Sequence, residues 1–484
     1  MTRLGIGLRV SHTDYGDGTV IQILGSLVRV DFFGVPLDVD EHELELVVDT
    51  GADVDEALGE NGVLGVPLSR QKYFTSIEAI NLGVVPPDSE QLLHFTMNGG
   101  ALTKEIKHSL EHARTKGLSK VVIGHYGTGK THYLQLVRAV ALMSGWVVAF
   151  VEFDPKAADP AKPQLVYRHI LSSLEFPARQ DGGVVRGFVG LVKEVRAHWK
   201  SADIKHLPFF RLNPWFRDGL MTLLAHNHDE ENETYLAGCA WLAGDKQLAS
   251  IRALAKDARL STRVPAMPTT KETAEIYAFH LVVVNEIVRQ LGYKGLLLIL
   301  DEAEHVRGYS MRRKERANNF FDYLARCAHS PMDIGDLPAP NDHGYELPKF
   351  CGKGPHFGLY VGLTPSFGIP ETREDCVFIR SADDVLVNRS PSSKDYKDWL
   401  EKLLEMFHKY CPEDSELFSD KKNRQRITDA LGKMYVAQLG SSTPLRNWIK
   451  LGGLACSVPL VDRMCSVDTL IDHLTNCGEQ ITSL

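Results

Sequence analysis

No two of the eight cysteines stand in a C-x-x-C pair; they scatter over positions 239, 327, 351, 376, 411, 456, 465 and 477. That spacing offers neither a zinc ribbon nor a disulfide framework, and it suits a reducing cytoplasm. Long apolar runs are also missing, since no stretch approaches the ~20 residues of a membrane-spanning helix. The opening MTRLGIGLRVSHTDYG lacks the unbroken apolar core of a secretory signal. Positive charge is not in surplus. At a net charge of −8 over 484 residues, no global field draws nucleic acid, so any DNA contact needs a local basic patch. Internal repeats and low-complexity segments are absent. These absences leave a soluble, cytoplasmic, multi-domain protein as the expectation.

Metal and nucleophile chemistry find little support. His226, His228 and Asp229 lie in a polar, acidic run that reads as an exposed loop. Cys351 and His356 sit in a Gly/Pro-rich stretch without the two further ligands of a structural zinc. No Ser-His or Cys-His pair follows from spacing. The basic run MRRKER reads first as a solvated helix face.

What is present is a phosphate-binding pattern. GHYGTGKTHYL fits G-x-x-x-x-G-K-[ST] at Gly124, Gly129, Lys130 and Thr131, with His125, Tyr126, Gly127, Thr128 and His132 completing the loop. The glycines let backbone N–H groups turn toward a phosphate at the positive end of a helix. Lys130 would reach the β- and γ-phosphates, and the Thr131 hydroxyl would ligate magnesium. The apolar SKVVIG before the loop reads as a strand, and THYLQLVRAVALMSG after it as a helix ending at Gly145.

A second half of the site follows in LLLILDE. Asp301 at the end of an apolar strand would hold magnesium, and Glu302 would orient and deprotonate the attacking water. Thr364, after the strand LYVGL, is either a strand cap or a group near the γ-phosphate. Arg446 is either a surface arginine or a cation that reaches the phosphates across a subdomain gap. Arg312, Arg313, Arg316 and Arg326 share one helix, and Arg326 is the choice for an arginine finger reaching a neighbouring subunit.

Organisation follows from pattern changes. Short β-branched strands over residues 1–48 suggest a small SH3- or Tudor-like barrel, and 49–68 is a Gly/Asp-rich linker. Residues 69–389 read as a doubly wound α/β core with a helical insertion at about 178–290, and 390–484 as an all-α lid.

The segments RQKYFTSIEAINLGVVPPDSEQLLHFTMNGG, VVIGHYGTGKTHYL, VEFD, WLAGDK and LLLILDEAEHV, in that order, resemble the P-loop ATP-binding proteins of BREX-type phage-defence loci, the BrxD-like group. The resemblance covers roughly residues 68–450. It implies an AAA- or STAND-like ATPase core with a helical lid and a working partner such as a helicase or another defence component. Alongside it the expectation is an α/β P-loop NTPase that uses ATP and Mg²⁺ and forms homo-oligomers, with DNA contact, direct or through that partner, left open. By the same resemblance GVVPP at 83–87 lies near the adenine. The lid arginine of relatives sits in Gly-Asn-Pro-Arg, whereas here Leu445 separates Pro444 from Arg446.

GLRVSHTDYGDGTV near the start resembles the Tudor-like modules of CarD-type transcription factors and UvrD-type helicase tails. That implies either partner binding or a structural cap. The expected function is therefore ATP hydrolysis coupled to conformational change in an anti-phage system. The alternative is a nucleotide-gated scaffold or transcriptional regulator with negligible hydrolysis, whose barrel recruits a protein. One P-loop in 484 residues disfavours a two-core helicase.

Overall fold

The structure is a computed structural model. It describes residues 9–12, 16–24, 27–32, 35–40, 44–46, 70–86, 89–178, 185–199, 214–225, 233–244, 256, 273–329, 357–365, 376–379, 382–387, 391–412, 416–437, 445–461 and 465–482. His226, His228, Asp229, Cys351 and His356, and the 49–68 linker, lie outside the described residues.

Five amino-terminal strands are β1 (Arg9–His12), β2 (Gly16–Leu24), β3 (Leu27–Phe32), β4 (Val35–Asp40) and β5 (Leu44–Leu46). They pair antiparallel in the order β4-β3-β2-β1-β5, with a register shift between Val20 and Gln22. Among the described residues β4 and β5 do not pair with each other, so the expected closed barrel is not supported. What stands is an antiparallel sheet.

Residues from Arg70 onward build a sheet flanked by helices. Three helices come first: α1 (Arg70–Leu82), α2 (Ser89–Phe95) and α3 (Gly99–Lys116). Then follow β6 (Leu118–Ile123), α4 (Lys130–Met143), β7 (Val147–Glu152), α5 (Pro163–Ser172) and the two-residue β8 (Leu174–Glu175). Helices α6 (Gly187–His198), α7 (Pro214–Ala225), α8 (Glu233–Leu242) and α9 (Thr273–Gln290) occupy the insertion. The chain returns through β9 (Leu296–Asp301), α10 (Met311–Ala328), β10 (Gly358–Leu363) and β11 (Val385–Val387). It continues in α11 (Ser393–Tyr410), α12 (Lys421–Ala437), α13 (Leu445–Val461) and α14 (Val467–Thr482).

The sheet order is β11-β6-β10-β9-β7-β8. All neighbouring pairs are parallel except β7 with the short edge strand β8. Both faces are covered, as a parallel sheet requires. In β9 the alternation is plain: Leu296, Leu298 and Leu300 join one core, while Leu297 and Ile299 join the other. The first core holds Tyr167, Phe216, Trp241, Tyr277 and Phe320. The second holds Ile106, Leu110, Leu134, Val137 and Trp146.

A third core lies in the carboxy-terminal helices and takes in α1. Tyr73, Ile77 and Ile80 bury against Tyr396, Leu403, Phe407, Trp448 and Leu451. The Tyr73 hydroxyl donates to the Leu403 carbonyl at 3.3 Å, and the Trp399 indole N–H donates to the Phe95 carbonyl at 2.9 Å. So α1 packs against the lid helices, while its Lys72 carbonyl also accepts the Gln91 amide N–H of α2 at 2.9 Å. Residues 83–86 are the strap between the two bodies, and Gly83 makes the turn at φ +66°. The start of α11 is held by a reciprocal Ser392–Asp395 capping box.

Candidate nucleotide site

The loop after β6 needs its glycines. Gly127 and Gly129 stand at φ +78° and +92°, conformations that side chains with a Cβ rarely adopt. Gly129 immediately precedes α4, so the first turn of that helix presents its free N–H groups to the loop. The Gly124 N–H donates to the Leu363 carbonyl at 3.3 Å, which ties the loop to the end of β10. Within the loop the Thr128 hydroxyl donates to the His125 carbonyl at 2.8 Å.

Because β10 lies between β6 and β9, the ends of three strands converge on Lys130. Its ammonium, on a side chain only 7% exposed, donates to the Thr364 hydroxyl at 2.9 Å and to Glu304 Oε1 at 3.2 Å. Asp301 Oδ1 lies at 3.8 Å and Glu302 Oε1 at 4.0 Å. The Thr131 hydroxyl donates to Asp301 Oδ2 at 2.8 Å, while Asp301 Oδ1 accepts the Glu302 N–H at 2.9 Å. Thr131, Asp301, Glu302, Lys130 and Thr364 are therefore brought together.

Backbone conformation and charge set the acids apart. Glu302 sits at φ +60°, one of two non-glycine residues with positive φ among the described residues. Such a conformation costs on the order of 1–3 kcal/mol and clusters at working sites. Burial raises the Glu302 carboxyl above its ordinary pKa; Glu304 and Asp301 push the same way, against the pull of Lys130. Burial also opposes ionisation of Glu304. There, hydrogen bonding from Thr364 and the main chain, together with Lys130, outweighs it and holds the carboxyl below its ordinary value.

Glu304 and Gly362 are among the residues that escaped the sequence reading. Glu304 follows the acid pair on a short 3-10 helix, Ala303–Gly308, which swings it back under Lys130. Gly362, inside β10, has the Asp301 carboxylate lying where its Cβ would be. A glycine within a strand is itself a signal of close approach, and LYVGL carried it. On the far side of the loop, His132 Nε2 lies 2.9 Å from the Thr96 hydroxyl, and burial lowers its pKa to about 4.

A cleft of about 830 Å³ runs from the loop toward the lid. Val84, Val85 and Pro86 line it together with Met97, Trp399 and Ile449, so its far end is largely apolar. Loop residues His125 to Thr131 line the near end, with Glu302, Glu304 and Thr364. Arg446 lines it too. Its guanidinium donates to the Tyr126 hydroxyl at 3.2 Å and lies 5.6 Å from that ring.

With this geometry in place, the comparison with known families is decisive. The model of the BREX system ATP-binding protein BrxC/D family matches residues 68–328. The chain belongs to that family. In this BrxC/D-family chain the matched segment holds the Gly124–Thr131 loop and Asp301, Glu302 and Glu304, while Thr364 and Arg446 lie beyond it. No curated protein matches the chain.

The remaining arginines fall elsewhere. Arg326 pairs with Asp322 at 2.6 Å within α10 and is not among the cleft-lining residues. Arg313 pairs with the fully buried Asp159 at 3.0 Å and lies 3.9 Å from the Tyr309 ring. Arg307, which sequence spacing did not single out, donates to the Thr364 carbonyl at 2.6 Å. An all-oxygen pair, Thr131 and Asp301, is the donor set that suits magnesium, and the missing Cβ at Gly362 leaves the carboxylate room. Among the described residues no helix is long and apolar enough to cross a membrane.

Proposed function

We propose that the protein is an ATPase of a BREX-type phage-defence system, coupling ATP binding and hydrolysis to assembly with a protein partner or DNA. The observation that carries the reading is the convergence of Lys130, Thr131, Asp301, Glu302 and Thr364 at one end of the cleft. Lys130 and the loop N–H groups bind the terminal phosphates. Thr131 and Asp301 would hold Mg²⁺, which when bound neutralises charge on the phosphate oxygens.

Glu302 accepts a proton from the attacking water as the water oxygen bonds to the γ-phosphorus and the bond to the β–γ bridging oxygen breaks. Its raised pKa makes it a better proton acceptor than an exposed glutamate. Thr364 orients Lys130 and the terminal phosphate. The apolar end of the cleft, formed by Val85, Pro86 and lid residues, takes the base. Arg446 carries the state of the phosphates to the lid helices, and the amino-terminal strands serve partner recruitment. An arginine from a second subunit, with Arg326 as the candidate, makes turnover depend on assembly.

Steady-state ATP hydrolysis by the full chain, with and without duplex or single-stranded DNA, tests this beside Lys130→Ala and Glu302→Gln. Turnover abolished in both variants supports the reading, with ATP still bound by Glu302→Gln. Tight ATP binding without turnover, at any protein concentration and with DNA present, would favour the nucleotide-gated scaffold instead.

A further inference from the structure

The closest acidic partner of Lys130 is Glu304, which belongs to neither sequence motif. Glu304 Oε1 accepts from the ammonium at 3.2 Å, whereas the acid pair stands at 3.8 and 4.0 Å. The Glu304 side chain is only 17% exposed, and its Oε2 is buried with no hydrogen-bond partner. A buried carboxylate oxygen is costly, and hydrogen bonding from Thr364 and the main chain offsets that cost together with the contact to Lys130.

Three carboxylates surround one ammonium here, and the pocket is negative before any nucleotide enters. A nucleoside triphosphate brings several further negative charges to the same ammonium. Lys130 has three donors; with one kept on Thr364 and two spanning the β- and γ-phosphates, none is left for Glu304. Binding is therefore an exchange of one anionic partner for another.

We propose that Glu304 is a positioning residue that anchors Lys130 in the nucleotide-free state, yields it to the terminal phosphates, and recaptures it when they leave. This rests on the nucleotide reading above and deepens it. Glu304 acts through Lys130 and sets a threshold on affinity, so that ADP does not linger after hydrolysis. Thr364 stays with Lys130 throughout and guides the ammonium between its two partners.

The test measures binding of fluorescent ATP and ADP analogues, with magnesium, to the full chain, Glu304→Gln and Glu304→Asp. Glu304→Gln removes the charge. Glu304→Asp keeps the charge but is one methylene too short to reach Lys130 with the same geometry. The anchor predicts that both variants bind ADP tighter, by about tenfold for the loss of one partly buried charge contact. It also predicts a kcat that falls together with KM, because product leaves slowly.

Unchanged or weaker binding by Glu304→Gln would overturn the anchor. Wild-type affinity in Glu304→Asp with tight binding in Glu304→Gln would overturn it too, since charge repulsion alone would then be the cause. Damage to the fold weakens binding rather than tightening it, and nucleotide-free melting curves identify a variant that has not folded. Should one variant not fold, the other carries the test. A wild-type chain that binds no nucleotide would sink the nucleotide site itself, an outcome distinct from these.

Discussion

Gly362 and Asp301 occupy one space: a Cβ on Gly362 would collide with Asp301 Oδ1 and lie 2.9 Å from Leu134 Cδ1. The absence of a side chain on the middle of three site-bearing strands is what lets the Asp301 carboxylate turn toward Thr131. Gly362→Ala therefore forces either the strand or the carboxylate to move. The expected outcome is about 1–3 kcal/mol of lost stability, as for other overpacked cores. ATP hydrolysis should fall at least tenfold, on the order of one displaced catalytic contact. Melting curves and turnover check both; a variant with wild-type turnover would show that Asp301 does not need this space.

Thr364 gives a second prediction, because its hydroxyl is the nearest hydrogen-bond partner of Lys130 at 2.9 Å. Thr364→Val keeps the volume and removes the hydroxyl. Lys130 then swings freely between its acidic partners, and kcat should drop by about ten- to a hundredfold, equivalent to about 1.4–2.7 kcal/mol. Thr364→Ser should restore most of it. If instead Thr364 is only a strand cap, Thr364→Val will leave kcat unchanged and lower only the melting temperature.

How far the sequence discloses the fold differs from element to element. The loop, its strand and its helix are local: Gly129, Lys130 and the apolar run that follows announce one another within a dozen residues. β9 and Asp301 are legible for the same reason, as six consecutive buried residues end in an acid. β8 and β11 are two and three residues long, too short for any periodicity to show. The docking of α1 on the lid helices depends on Tyr73 meeting Leu403, a pairing 330 residues apart that no local pattern encodes. Glu304 stayed hidden because a short 3-10 helix, not an α-helix, follows Glu302, and it points Glu304 back at Lys130.

Acid should destabilise the protein through the half-buried His132 and the fully buried His280. Burial lowers the pKa of His132 from 6.5 to about 4, and that of His280 from 6.5 to about 3. His280 packs against the rings of Tyr167, Tyr277 and Phe216 at 5.5, 5.6 and 6.0 Å. In the unfolded chain both imidazoles take up protons near pH 6.5 that the folded chain refuses. Their contribution is therefore fully present above pH 6.5 and is lost as pH falls toward 4 and then 3. The slope is at most about 1.4 kcal/mol per pH unit for each imidazole. His280→Phe should flatten the fall in melting temperature between pH 7 and pH 5. A slope identical to wild type would exclude His280 as a source.

Arg446 joins three parts of the molecule, so its loss should be felt in nucleotide affinity. Its guanidinium donates to Tyr126 of the phosphate loop at 3.2 Å. Its stem packs over Gly83, where a Cβ would come within 2.6 Å of Arg446 Cγ. Its own helix, α13, belongs to the lid core through Trp448 and Leu451. With a nucleotide in the cleft, a cation so placed can trade the Tyr126 hydroxyl for a phosphate oxygen, a stronger, charge-assisted partner. Arg446→Ala should then weaken ATP more than ADP, by about tenfold, the effect of one charge-assisted hydrogen bond. Arg446→Lys should recover only part, because an ammonium lacks the planar fork. Tyr126→Phe removes the resting partner alone and should leave ATP affinity intact or slightly improved. If Arg446→Ala weakens ATP and ADP equally, the arginine braces the lid against the strap at Gly83 and does not read the terminal phosphate.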